Sequence, residues 1–536
     1  MQRSIGCYLV ELLAANGIDT VFGIPGVHNL ELYRGLAASK IRHVLVRHEQ
    51  GAGFAADGYA RSSGRPAAAV TISGPGLTNI LTAAAQAYTD SVPLLVVAAA
   101  PVSASLGKQW GVLHELPDQC ALAKGVFGVA RRAGSAEDVR DHLRACLGSL
   151  QAGRPRPAYL EIPLDVLALQ TSLPAARFAA DPPLPQPPPA QIDAAVRRLA
   201  EAARPVVIAG GGARHAGAEI ARLVEKLDCP LLTTAAGKGV IPDGHPSNLG
   251  ASLPYPAAQK LIADADVVLA AGTELSETDL YFALKLPMNG LLIRIDIDAA
   301  KLADHYGAGL PVWGEARACL ASIEKGVAPR KGWKSRTGGA PDCRLEIEQQ
   351  IDQAFGGRAR VPLSALGAIR SALPGGGVVF SDMTQIAYLG NYAFAADSPG
   401  QWHHPSGYGT LGFALPAALG AKICDPARAV LALAGDFGLQ FTLNELMTAV
   451  EEGLSLPIVL WNNSALGQIR DDMQASQIPL LGVIARNPDF QALARAYGAA
   501  AVRAGDATQL TGAIRDAFER QGPTLIEIIA TAFAPG

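Results

Sequence analysis

From residue 431 to residue 468 the chain reads "LALAGDFGLQFTLNELMTAVEEGLSLPIVLWNNSALGQ". An apolar strand pattern over 431–434 stops at Gly435-Asp436, and a helical pattern follows over 442–452. A second apolar strand, 457–461, stops at Asn462-Asn463. A right-handed crossover sets the two strands parallel, with both C-terminal ends on one edge of the sheet. Open α/β sheets bind ligands at that edge, so Asp436 and Asn463 meet there. A carboxylate and a side-chain amide are poor core material and good oxygen ligands for a hard cation. With the backbone carbonyl of Ala465 as a third donor, they leave places for phosphate oxygens and water, the usual shell of octahedral Mg²⁺. Nearby helix N-termini add N–H donors for the phosphates. Taken singly, an N-capping Asp and a loop-forming Asn-Asn explain the same letters. The glycines at 435 and 438 and the strand–helix–strand spacing favour the joint reading.

The remainder of the 536 residues repeats the alternation of short Val/Ile/Leu/Ala strands with Ala-rich helices. Strands read at "HVLVR", "AAAVTIS" and "PLLVVAA", then "RPVVIAGGG", "CPLLTTA", "DVVLAAG" and "LLIRIDID", and finally "GVVFSD", "AVLALAGD", "LPIVLWNN" and "PTLIEIIA". Such alternation predicts parallel sheets covered by helices on both faces. Two connectors divide the chain, a proline-rich one at 181–191 and a Gly/Pro/Lys-rich one at 324–342. The expectation is three doubly wound α/β domains, over residues 1–180, 191–325 and 345–536. A net charge of −3 with no basic stripe argues against nucleic acid and an anionic membrane surface. The longest apolar runs have strand length, not membrane-span length, and the N-terminus goes straight into a helix with no signal-peptide pattern. Seven scattered cysteines without a CxxC suggest reduced thiols in a cytoplasmic protein.

Gly435-Asp436-Phe437-Gly438, a helix containing "NELMTAV", and a strand ending in Asn-Asn resemble the diphosphate–Mg²⁺ motif of thiamine-diphosphate (ThDP) enzymes of the acetolactate synthase/pyruvate decarboxylase superfamily. The resemblance extends over essentially the whole chain and implies a pyrimidine-binding domain, a central domain and a diphosphate-binding domain in that order. It departs at Phe437, where the family carries Gly; Gly serves where a backbone needs φ > 0 or close approach. "RHEQGAGFAADGYAR" is similar to the signature whose Glu contacts the pyrimidine N1′, which implies Glu49 as the catalytic carboxyl. "HPSGYGTLGFALPAALGAK" resembles the loop whose backbone grips the pyrimidine, through Gly409 and Leu411 here, with the Leu411 side chain wedging the bent cofactor. "SDMTQ" adds Thr384 and Gln385 as diphosphate contacts. Because the family assembles each site between two chains, a homodimer or a homotetramer is implied.

The middle "IAGGGARHAGA" is not a clean dinucleotide fingerprint, and "AGTELSETD" stands where FAD-binding relatives carry an Arg-Phe-Asp-Asp stretch, so no FAD is expected. His28 in "GIPGVHNLEL" and His114 in "GVLHELPDQ" are the proton-transfer candidates, since imidazole titrates near neutrality. Together with "RHEQGAGFAADGYAR", these stretches most closely resemble the 5-guanidino-2-oxopentanoate (2-ketoarginine) decarboxylase branch. A guanidinium tail wants a carboxylate fork; Glu115, Asp118, Asp471 and Asp472 are available, and Glu115, Gln468 and Asp471 are the substrate candidates. The expected reaction is Mg²⁺/ThDP-dependent decarboxylation of a 2-oxo acid to an aldehyde. The alternatives are a carboligase of acetolactate-synthase type and a catalytically silent cofactor-binding subunit, the latter suggested by Phe437.

Overall fold

The computed structural model describes residues 2–179, 184–280, 285–329, 340–356 and 358–535. Three parallel sheets carry the fold. The first runs, edge to edge, Arg42–Leu45, Thr20–Gly23, Ala67–Thr71, Leu94–Ala100, Ala158–Pro163, Val129–Arg132. The third runs Trp402–His403, Val378–Ser381, Val430–Gly435, Pro457–Asn462, Thr524–Ile529, Ala500–Arg503. Both sheets place the second strand outside the first, then the third, fourth, sixth and fifth. Their chain order therefore reverses between first and third strands, the switch point where such sheets bind ligands. The middle sheet has five strands, Leu231–Thr233, Pro205–Ala209, Val267–Ala271, Leu291–Asp296 and Leu310–Trp313.

Central strands are buried on both faces, as parallel sheets require; Leu94–Ala100 and Pro457–Asn462 are buried at every position. The expected helix over 442–452 forms as Glu445–Glu451, and a further short helix, Asp436–Phe441, precedes it. Thr442 separates them, donating its hydroxyl to the Gly412 carbonyl at 2.8 Å. Each expected connector is partly helical: Pro189–Glu201 begins within the first, and Ala316–Gly326 ends inside the second. Residues 181–183 and 330–339 of those connectors lie outside the described residues.

The first and third sheets are joined by two helices, Glu49–Ser63 and Ala414–Cys424, that cross with backbones almost touching. A Cβ on Gly58 would collide with Ala417, and one on Gly420 with Ala55. One apolar cluster continues through this crossing, from Phe22 and Phe54 to Phe413 and Leu460. Glu445 adds a polar tie. Its carboxylate accepts the N–H groups of Arg47 at 3.1 Å and His48 at 3.0 Å, together with the Thr448 hydroxyl at 2.8 Å. Burial pushes its pKa up to about 7.

The glycine-rich turn of the middle domain serves packing. Gly272, with φ +59°, lies against Gly212, and a Cβ on it would come 2.6 Å from the Gly212 carbonyl carbon. The Gly212 N–H donates to the Gly272 carbonyl at 3.0 Å.

Candidate active site

The carboxyl edge of the third sheet gathers polar groups from four segments. Asp436 opens a short helix directly after the strand Val430–Gly435 and is 2% exposed. One oxygen accepts the Asn487 amide at 2.6 Å and the other the Phe437 N–H at 3.1 Å. Burial raises its pKa, opposed by the Asn487 hydrogen bond and by the backbone N–H groups of Phe437 and Ser464. None of these partners is positively charged. A buried carboxylate in that setting favours a cation beside it.

Asn463, one residue past the neighbouring strand, donates to Gln385 Oε1 at 3.2 Å, and its own oxygen accepts the Ala465 N–H at 3.2 Å. Gly467 permits this approach, since a Cβ there would lie 2.5 Å from Asn463 Nδ2. Asn462 turns the other way, donating to Glu527 at 2.8 Å and accepting from Asn487 at 3.0 Å. Asn487 therefore bridges Asp436 to Asn462. The segment that carries it pairs back onto the Ala465 turn through Leu466 N–H to Val483 O and Ala485 N–H to Ser464 O, both 2.9 Å. Among the described residues no three His, Cys, Asp or Glu side chains converge as a metal site. One carboxylate with neutral oxygens is instead the donor set that Mg²⁺ accepts alongside phosphate, so the residues fit a Mg²⁺–diphosphate group.

Asp382, in the quoted "SDMTQ" but not singled out there, organises the loop beside this edge. Its carboxylate is 1% exposed and accepts the Gly412 N–H at 2.9 Å and the Met383 N–H at 2.8 Å. Burial pushes its pKa up to about 6, against the pull of the Met383, Gly412, Phe413 and Ala414 N–H groups. A Cβ on Gly438 would come 2.5 Å from Asp382 Oδ2, which accounts for the second glycine of the motif. Left-handed turns at Gly409 (φ +71°) and Gly412 (φ +84°) bracket Leu411, which is half-buried. Phe437 lies in the right-handed helix Asp436–Phe441, so its position demands no glycine conformation.

Thr384 precedes the helix Gln385–Ala393, with its hydroxyl near Gly435. Gln385 donates to Asp471 at 2.8 Å, and Asp471 is also paired with Arg470 at 2.9 Å and Arg358 at 3.2 Å. Gln468 donates to Asp472 at 3.0 Å. These two substrate candidates are thus engaged with protein partners.

The carboxyl edge of the first sheet holds the other candidates. Glu49 begins its helix, is 8% exposed and accepts the Asn79 amide at 2.9 Å. His28 Nδ1 hydrogen-bonds Ser73 Oγ, and its ring meets His114 edge-on at 4.9 Å. Burial, then the His114 neighbour, lowers the His28 pKa and favours the neutral imidazole. His114 has φ +63° and a buried Nδ1 without a hydrogen-bond partner. Gly74 lies against its carbonyl, and the Gly74 N–H is held by Gln119 Oε1 at 2.7 Å. Ser73, Asn79, Gln119, Asp382 and Asn487 carry no motif of their own; only the strand-end positions of Ser73 and Asp382 hinted at a role.

The structure does not bring Leu411 to Glu49 within one chain. Ala55 faces Gly420 and Gly58 faces Ala417, so the two crossing helices are antiparallel. Glu49 begins one end of its helix and Leu411 lies beyond the other end, a separation of about 20 Å at 1.5 Å per residue.

The family model described as thiamine pyrophosphate enzyme, N-terminal TPP binding domain, matches residues 3–122; the central-domain model matches 192–323 and the C-terminal TPP binding domain 382–528. A Pseudomonas aeruginosa protein described as a probable 2-ketoarginine decarboxylase is 48% identical over 531 residues, 98% of this chain and 93% of that protein. The acetolactate synthase isozyme 1 large subunit of Escherichia coli is 30% identical over 537 residues, 97% and 93% of the two chains. A probable acetolactate synthase large subunit of Methanocaldococcus jannaschii is also 30% identical, over 97% of this chain and 91% of its own length.

Proposed function

Since the chain belongs to the thiamine pyrophosphate enzyme family, we propose that it catalyses the non-oxidative decarboxylation of a 2-oxo acid to an aldehyde, with 5-guanidino-2-oxopentanoate as the candidate substrate. The observation that carries the substrate is the 48% identity, over nearly the full length of both chains, to a probable 2-ketoarginine decarboxylase. When bound, ThDP supplies the nucleophilic carbon and the electron sink.

The roles of the chain's own groups follow from their surroundings. Asp436, Asn463 and the Ala465 carbonyl would hold Mg²⁺, and Gly435, Phe437, Gly438, Thr384 and Gln385 would border the diphosphate. Gly409 and Leu411 would meet the pyrimidine, on a loop that Asp382 fixes. Glu49, nearly buried with one amide partner, would share a proton with the pyrimidine N1′. His28 and His114 would move protons at the substrate oxygen and at the carbon that loses CO₂.

The separation of Glu49 from Leu411 supports a site built from two copies, in a homodimer or homotetramer. Exposed apolar side chains support the same reading: Val27 and Leu30 at the first edge, Phe441, Leu481 and Ile484 at the third. The expectation of no FAD rests on the sequence alone, on "AGTELSETD" at 271–279. Seven free cysteines suit a reducing cytoplasm. Among the described residues no helix is long and apolar enough to cross a membrane.

The acetolactate synthase relatives favour carboligation as the second reading. Incubating the enzyme with ThDP, Mg²⁺ and either pyruvate or 5-guanidino-2-oxopentanoate separates the two. The proposal expects CO₂ and a guanidino aldehyde from the second acid; acetolactate from pyruvate, with no CO₂ from the guanidino acid, refutes it. Glu49→Gln should retain ThDP binding and lose exchange of the thiazolium proton, whereas unchanged exchange removes Glu49 from the mechanism.

A further inference from the structure

The geometry points to the loop 107–115 as the seat of the substrate's cationic tail, with the Glu115 carboxylate pairing a guanidinium and the Trp110 ring covering its face. This deepens the decarboxylase reading above and rests on it. Four acidic side chains stood as candidates in the sequence, and the structure gives two of them, Asp118 and Asp471, cationic partners. Asp118 caps a helix through the Ala121 N–H and pairs with Arg132 at 2.9 Å. Asp471 is held by Arg470, Arg358 and Gln385. Asp472 accepts the neutral Gln468 amide and lies exposed on the helix Gly467–Ala475, whereas Glu115 is half-buried beside the His28–His114 pair.

Glu115 differs. Its oxygens accept only backbone N–H groups of its own loop, Trp110 at 3.2 Å and Gly111 at 2.7 Å, and no ion pair includes it among the described residues. A carboxylate has about four acceptor positions, so two remain for a forked donor. Trp110, whose backbone N–H makes the first of these contacts, is itself 65% exposed. A planar guanidinium is the cation that both pairs with a carboxylate and stacks on an aromatic face; an ammonium does the first without the fork.

The loop is also positioned for the task. It leaves the strand Leu94–Ala100 at the carboxyl edge that carries Glu49, His28 and Ser73. His114, the residue before Glu115, turns its ring onto His28. Gly107, Gln109, Gly111 and His114 all have positive φ, between +57° and +74°. Two of the four are not glycine, and strain of that kind collects at ligand sites.

The test compares kcat/KM for 5-guanidino-2-oxopentanoate with that for 2-oxohexanoate, a neutral straight-chain acid, in the full chain loaded with ThDP and Mg²⁺. Glu115→Gln and Trp110→Leu are each expected to lower the cationic-to-neutral ratio by roughly tenfold or more, the scale of one charge-assisted contact. Equilibrium binding of 4-guanidinobutanoate, which carries the tail without the keto group, should weaken in parallel. A wild-type decarboxylase in which neither variant shifts the ratio overturns this assignment alone. Wild-type enzyme that releases CO₂ from neither acid overturns the decarboxylase reading, and this assignment with it. Loop damage without a recognition role lowers both rates together, leaves the ratio unchanged and counts against the assignment.

Discussion

The middle and third sheets both present a glycine-rich turn at the carboxyl edge, and the two turns do opposite things. At Gly210–Gly212 the glycines make room for another loop's backbone, that of Gly272. At Gly435–Gly438 they make room for side chains: Thr384 beside Gly435, Asp382 beside Gly438. In the first arrangement backbone meets backbone, whereas the second is bordered by a buried carboxylate, two side-chain amides and several N–H groups, the set proposed above to hold Mg²⁺ and diphosphate. Glycine content reports only that something approaches closely. The chemistry of the neighbour tells a binding edge from a filled one.

The largest effect that tests this contrast is at Asp436. Replacing it with Ala removes the one carboxylate from the proposed Mg²⁺ set, and ThDP-dependent turnover should fall about a thousandfold or more, the several kcal/mol a catalytic metal contributes. Removing Mg²⁺ by chelation should have the same consequence for the wild-type enzyme and none for the variant. A variant that keeps Mg²⁺-dependent ThDP affinity would make the third edge no more a binding site than the middle one.

Much of the contrast was readable from the letters, because parallel sheets write their strands as short apolar runs and fix where their ends must lie. Asp436 and Asn463 follow strands directly, so position and donor chemistry nominated them, while Glu49, at a helix start separated from its strand by three residues, was nominated by resemblance to a signature. Asn487 could not be found that way: it reaches Asp436 from a stretch with no periodicity, through a pairing of residues 483–485 with 464–466. Asp382 and Ser73 end strands too, but an acid or hydroxyl there has many uses, and only its partners decide among them. Phe437 misled in the other direction. The family habit of Gly suggested a special backbone, while the chain there is an ordinary helix turn.

A second test concerns the charge buried between the first and third domains, a feature the middle turn lacks. The Glu445 pKa is raised to about 7 from 4.5. The folded state therefore binds this proton where the unfolded chain has released it. The resulting stability is complete below about pH 4.5, declines as pH rises toward 7 and is absent above, an effect on the order of 2–3 kcal/mol over the window. Denaturant unfolding of wild type and Glu445→Gln at pH 5 and pH 8 should show the wild type losing more stability between them. Parallel losses would mean the carboxylate is better solvated than its burial implies.

Gly272→Ala probes the filled turn. A Cβ at φ +59° against the Gly212 backbone should cost about 2 kcal/mol from strain and overpacking. ThDP affinity should be untouched, since the turn holds no cofactor in this reading. Calorimetry paired with ThDP titration checks both halves. A large loss of affinity without loss of stability would return the middle turn to the list of ligand sites.

The smallest expected effect is the most discriminating. Phe437→Gly restores the residue the family carries. If the motif needed glycine's conformational range, this change would tighten cofactor binding and support a silent, weakly binding subunit. The helix Asp436–Phe441 instead holds residue 437 in a right-handed turn, and the close approach in this motif falls at Gly438, beside Asp382. The substitution should therefore only loosen a helix, lowering stability by about 0.5 kcal/mol and changing the ThDP Kd by less than about threefold. A tenfold gain in affinity would show that the phenylalanine ring, rather than the backbone, obstructs the diphosphate. The third edge would then be, like the middle one, a phosphate turn closed by its own packing.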